Sequence, residues 1–146
     1  MVKTNNTMLT KTIAITNEMS QLDVVANALE LLADEWNLMM EETMKLNLVI
    51  EEVVTNIINY GYHDHEAHTI NIRLSLDGNL FTMQIIDDAI EFNPLLQAKP
   101  DINLSLEDRK IGGLGIHFMR TIMDHLEYSH EDGKNILTLS KKLAGA

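Results

Sequence analysis

The sequence predicts an α/β (α+β) fold: a two-layer sandwich with a mixed, mostly antiparallel sheet and its helices on one face. Three observations predict it. Asp77-Gly78 and Asp132-Gly133 each separate two runs rich in apolar and β-branched residues, so hairpins supply most of the strands. Two helical patterns stand together between the first strand and the first hairpin, and helices grouped in this way cover only one face of such a sheet. The 146 residues, 45% of them hydrophobic, suffice for one core, so residues 1–146 are expected to form a single domain.

The elements follow in order. Residues 9–15, LTKTIAI, alternate and β-branch as a first strand does. In SQLDVVANALELLADEWNL, Ser20 and Asp23 stand at capping-box spacing, and Leu22, Val25, Ala26, Leu29 and Leu32 repeat with a helical period. A second helix is expected over about 41–60, with Gly61 placed to end it. HTINIRLSLDGNLFTMQIID forms the first hairpin. Over 88–111 no period persists, both prolines (Pro94 and Pro100) occur, and the segment closes on Gly112-Gly113-Leu114-Gly115. An irregular stretch of this length inside a small domain is usually a functional loop or lid. Residues 116–123 read as a helix opening on the glycines, and LEYSH and NILTLSKK make the last hairpin. No internal repeat or low-complexity tract is evident.

Composition narrows the function. The formal net charge is -11, with 22 acidic and 11 scattered basic residues, the opposite of what a phosphate backbone attracts, so no direct nucleic-acid partner is expected. The acidity serves solubility. Without cysteine there is no disulfide, thiol nucleophile or thiolate metal site, which suits a cytoplasmic setting. Neither a signal peptide nor an apolar run of bilayer length is present, so no membrane association is expected.

The second helix carries the first candidate site. On a helical wheel Glu52, Asn56 and Asn59 fall within about 60° of one another, with Thr55 at the edge of that arc. Leu46, Val49, Ile50, Val53, Val54, Ile57 and Ile58 fill most of the remainder. Such a stripe either faces solvent at the sheet margin or lines a cavity, and the helix alone leaves both open. Two further features converge with it. MQIIDD delivers Asp87 and Asp88 at a strand end, and Gly-Gly-Leu-Gly opens a helix, where backbone N–H groups can receive phosphate oxygens.

Glu52-Val53-Val54-Thr55-Asn56, Ile86-Asp87-Asp88 and Gly112-Gly113-Leu114-Gly115 resemble, in that order, the three nucleotide-binding boxes of the GHKL ATPase superfamily. Within it the chain is most similar to the bacterial anti-sigma-factor serine/threonine kinases, over residues 9–142. The resemblance implies ATP and Mg²⁺ as cofactors, Glu52 as general base and Asn56 as Mg²⁺ ligand. It implies Asp87 as acceptor for the adenine amino group and 88–111 as a lid. Asn59, Ala89, Arg109, Lys110, Gly112, Gly113, Leu114 and Gly115 would complete the ATP site, with Arg109 and Lys110 either neutralising phosphate or solvated on the lid. A small antagonist protein, a sigma factor or both are the implied partners, and a homodimer through the first strand and first helix is the implied assembly.

The chain departs from the family pattern in places. The second box usually carries two glycines, where this sequence has Ala89 and Glu91, and Phe92-Asn93-Pro94 matches what often follows the box. Tyr60 stands where histidine or lysine is frequent, and Gly133-Lys134-Asn135 replaces a glycine-threonine pair. If those glycines serve positive φ or close approach, alanine is a modest obstacle and glutamate a larger one. An alternative is therefore a non-catalytic regulator-binding module of the same fold, with weakened or lost ATP binding. A histidine kinase ATP-binding domain fits less well, because no helical segment bearing a phosphoacceptor histidine precedes the fold. His63 and His65 lack a second group of ligands, and Met39, Met40 and Met44 are expected in the core or a dimer face.

Overall fold

The computed structural model describes residues 8–96 and 113–144, the first five of the latter by their backbone. It contains β1 (Leu9–Thr16), α1 (Leu22–Trp36), α2 (Met40–Tyr60), β2 (Thr69–Asp77), β3 (Leu80–Asp87), α3 (Gly113–Ile122), β4 (His125–Glu131) and β5 (Lys134–Lys142), with 3-10 turns at Met19–Gln21 and Pro94–Leu96. The strands form one sheet in the order β1-β2-β3-β5-β4. Every pairing is antiparallel: β2–β3 and β4–β5 are hairpins, β1 pairs with β2 across the connection that holds α1 and α2, and β5 returns against β3.

Strand periodicity sets the layers. Ile13 and Ile15 of β1, Ile70, Ile72, Leu74 and Leu76 of β2, Phe81, Met83 and Ile85 of β3, and Leu137 and Leu139 of β5 are all buried. The registers Ile13↔Ile72, Ile72↔Ile85, Met83↔Leu139 and Leu126↔Leu139 place these side chains on one face. Val25, Leu29 and Leu32 of α1, Leu46, Val49, Ile50, Val53 and Val54 of α2, and Met119 of α3 close the same cluster. Each large apolar side chain so removed from water contributes about 1.5–3 kcal/mol. The opposite face is largely polar, with Gln84 donating to Thr138 across β3 and β5 at 3.1 Å.

Several local expectations shift. Asp132 and Gly133 both have positive φ (52° and 75°) between the paired Glu131 and Lys134, a type I′ loop. In the first hairpin Asp77 pairs with Leu80, so Gly78 and Asn79 are the loop residues, one step beyond Asp77-Gly78. Ser20 does not cap α1: it lies in the turn Met19–Gln21, the N-cap is Gln21, and no side-chain cap bond forms. The Gln21 carboxamide instead accepts from Thr16 N–H at 3.4 Å, holding the exit from β1. Asn37, in the left-handed region that asparagine tolerates, ends α1. Met39, Met40 and Met44 are exposed rather than in the core, whose methionines are Met83, Met119 and Met123.

A buried ion pair fastens the end of β5 to α2. Glu42 is 5% exposed; it faces Lys141 Nζ at 3.3 Å and accepts a 2.8 Å bond from Ala144 N–H. Burial disfavours its charge, but these donors and Lys141 outweigh burial and hold its pKa below the ordinary carboxylate value. Glu42→Ala leaves the half-buried Lys141 ammonium and a backbone donor without their partner, so urea denaturation at neutral pH is expected to show a loss of about 1–3 kcal/mol. Because the folded-state pKa is depressed, this stabilisation is present above the unfolded pKa and fades as pH falls through the folded value. The gap between the wild type and Glu42→Ala should therefore narrow in acid.

Candidate functional site

The polar stripe of α2 emerges where its apolar face turns away from the sheet. Glu52, Thr55 and Asn56 are half-buried and Asn59 is exposed, so the stripe borders the core without entering it. Burial, followed by the neighbouring charge of Glu51, raises the Glu52 pKa, which makes the carboxylate a better proton acceptor.

The end of α2 meets the chain leaving β3. Gly61 ends the helix as expected but without a left-handed turn (φ -90°). Its lack of a side chain serves close approach instead: a Cβ there would lie 2.7 Å from Ala89 Cβ and 2.7 Å from the Ile57 carbonyl oxygen. Ile90 N–H donates to Gly61 O at 3.1 Å, sealing the contact. The expected obstacles at 89 and 91 do not materialise in the backbone. Among the described non-glycine residues only Asn37, His65 and Asp132 have positive φ, so neither Ala89 nor Glu91 occupies a glycine conformation. Glu91 points outward, with a carboxylate oxygen 3.9 Å from His130 Nδ1.

Asp87 is the polar end of an otherwise apolar row, Phe81, Met83, Ile85, Asp87, on the core face of β3. It is 4% exposed, and burial raises its pKa against the opposing effect of its donors. Both donors reach one oxygen: Ala89 N–H and Asn135 Nδ2 each donate to Oδ1 at 2.9 Å. Among the described residues nothing donates to Oδ2. Asn135 lies directly across from Asp87 in the β3–β5 register.

Asp88 turns to the other side of the strand exit. His68 sits between two carboxylates, with Nε2 2.8 Å from Asp64 Oδ2 and Nδ1 3.2 Å from Asp88. Its ring stacks on Tyr62 at a centroid distance of 4.3 Å. The hydrogen bonds to Asp64 and then Asp88 raise the His68 pKa, while burial followed by the Asp87 and Asp88 charges raises that of Tyr62. Further along, Arg120 Nη2 of α3 donates to the Leu95 carbonyl at 2.5 Å, tying the turn Pro94–Leu96 to the last helix.

The structure thus joins the end of α2, the exit of β3 and the start of the expected lid. Gly113, Leu114 and Gly115 form the first turn of α3, which begins earlier than residue 116 and packs against α2. Arg109, Lys110, Gly112 and the part of the lid over 97–111 lie outside the described residues. Sequence reasoning left Asn135 as a mere departure and passed over His68. For Asn135 a signal existed: Leu137 and Leu139 are core residues two and four positions on, so strand parity turns Asn135 to the same face.

One layer of helices on an antiparallel sheet, a buried aspartate at a strand exit beside a polar helical stripe, and a glycine-led third helix define a GHKL-type ATPase-like fold. The chain belongs to the histidine kinase-like ATPase domain family, whose model matches residues 15–141. It is 29% identical to the serine/threonine-protein kinase BtrW of Bordetella bronchiseptica over 77% of this chain and 78% of that protein. It is 31% identical to an anti-sigma F factor of Thermoanaerobacter sp. over 73% of this chain and 74% of the relative. Among solved structures, the RsbU and RsbW domains of a Mycobacterium tuberculosis protein superpose with a TM-score of 0.65 at 16% identity. That match covers 92% of this chain and spans 32% of the larger one. No described helix is long and apolar enough to cross a membrane.

Two outcomes follow from the geometry. Gly61→Ala should lower stability by about 1–3 kcal/mol through overpacking, and adding Ala89→Gly should recover only part, since the Ile57 carbonyl still crowds the new methyl; denaturant melts of the single and double variants check this. The His68 contribution has the opposite pH sense to that of Glu42. Its folded pKa is raised, so its stabilisation is complete below the ordinary histidine value and disappears as pH rises through the folded one. The stability difference between the wild type and His68→Ala should shrink steadily in melts taken from about pH 6 to 9.

Proposed function

We propose that this chain is a single ATP-binding domain of an anti-sigma-factor-type serine/threonine protein kinase. It would transfer phosphate to a small antagonist protein, bind a sigma factor, or do both. The observation that carries this is Asp87: a buried carboxylate with one oxygen filled by two donors and the other without a donor among the described residues fits the exocyclic amine of adenine. The family and the relatives named as kinases and anti-sigma factors support the same function.

The described residues fit Mg²⁺ and ATP in kind. Asn56 offers one carboxamide oxygen, and Mg²⁺ takes few protein ligands, drawing the rest from phosphates and water. Bound Mg·ATP would supply the phosphoryl group and neutralise its charge. Glu52, raised in pKa and one helical turn before Asn56, would orient the acceptor hydroxyl and take its proton. The first turn of α3, with Gly113, Leu114 and Gly115, would offer backbone N–H groups to phosphate oxygens, joined by Arg109, Lys110 and Gly112. Asn59 and Ala89 would border the same site.

The homodimer belongs to this proposal. β1 is an edge strand, and Met8, Leu9, Met19, Val24 and Leu31 on or near β1 and α1 are exposed, which supports an interface there.

Thermal melts with ATP and Mg²⁺ test the nucleotide site. A ligand at a hundredfold excess over Kd stabilises by about 2.7 kcal/mol, a shift easily read. The wild type and Glu52→Ala should both show the shift, Asp87→Ala should lose it, and Glu52→Ala should abolish transfer to a cognate antagonist. No shift for the wild type at millimolar nucleotide would sink the kinase and favour the non-catalytic module suggested by Ala89 and Glu91.

A further inference from the structure

Asn135 is 6% exposed, and its carboxamide is satisfied on both sides. Nδ2 donates to Asp87 Oδ1 and to the Ile90 carbonyl, each at 2.9 Å, with the Ala89 carbonyl at 3.4 Å. Oδ1 accepts from Phe92 N–H at 3.1 Å and from the Tyr128 hydroxyl. The partners fix the orientation of the amide, because carboxylate and carbonyl oxygens can only accept and a backbone N–H can only donate. One side chain of β5 therefore holds both the carboxylate at the end of β3 and the backbone of residues 89–92 that wraps around it.

We propose that Asn135 is a positioning residue for base recognition: by occupying Asp87 Oδ1 and fastening residues 89–92, it fixes the carboxylate with only Oδ2 presented, and so makes the site select a 6-amino over a 6-oxo purine. The proposal rests on the nucleotide site described above. The selectivity follows from fixity. A 6-amino group donates to a stationary Oδ2, whereas a 6-oxo group brings a second acceptor against it. A carboxylate free to turn could relieve that clash and reach the N1–H of the 6-oxo base. The same network holds the turn over 89–92 by a side chain from outside it.

Calorimetry of ADP and of inosine diphosphate, each with Mg²⁺, tests this on the whole chain. The wild type should bind ADP more tightly. Asn135→Ala and the milder Asn135→Ser, which keeps a small hydratable group at the buried position, should each cut the ratio of the two affinities by about tenfold, chiefly through ADP. A purely structural role would weaken both ligands alike, so a folded variant of either kind that keeps the wild-type ratio overturns the assignment and leaves the nucleotide site standing. A wild type that binds neither diphosphate overturns the nucleotide site and the role of Asn135 with it.

Discussion

A carboxylate at the end of an apolar strand row is the constraint around which this end of the molecule is organised. Asp87 continues the inward-facing series of Phe81, Met83 and Ile85, so parity alone sends it into the core. Burying an ionised group without partners is too costly to persist. Asn135 across the ladder and the N–H of Ala89 meet that need, and meeting it dictates the path of the chain over 88–92. That path sets Ala89 against Gly61 and turns Asp88 to His68, so the end of α2 and the strand exit are linked through one satisfied acid.

The two acids of the site differ in kind. Glu52 lies on the border of a helix, half-buried and raised in pKa by burial and a like charge. Asp87 is enclosed and anchored by donors to a single oxygen. A proton acceptor benefits from a raised pKa and access to solvent, whereas a base-reading group benefits from immobility. These environments are the ground on which the proposed division of labour, Glu52 as base and Asp87 as reader of the purine, rests.

The sequence made the helices, hairpins and sheet face legible because each rests on short-range periodicity that burial reinforces. Glu52 and Asn56 were placed by a helical period and Asp87 by a strand end. What escaped was non-local. Asn135 lies 48 residues from Asp87, and only the pairing of β3 with β5 brings them together. His68 acquires its meaning from Asp88, 20 residues on, and not from the histidines beside it. The capping motif at Ser20 failed for a related reason: the connection from β1 imposed a turn, and Gln21 was enlisted to hold it.

Between the end of α2 and the exit of β3 there is room for one methyl group and not two. Position 89 now holds it. Drift at these two sites is therefore not independent: alanine at 89 is admissible only on a background of glycine at 61, and a change at 61 is penalised whatever stands at 89 because the Ile57 carbonyl occupies the other side. Sterically, position 89 accepts glycine or alanine while position 61 accepts glycine alone, so the alanine in the second box is a packing choice tied to its neighbour across the contact.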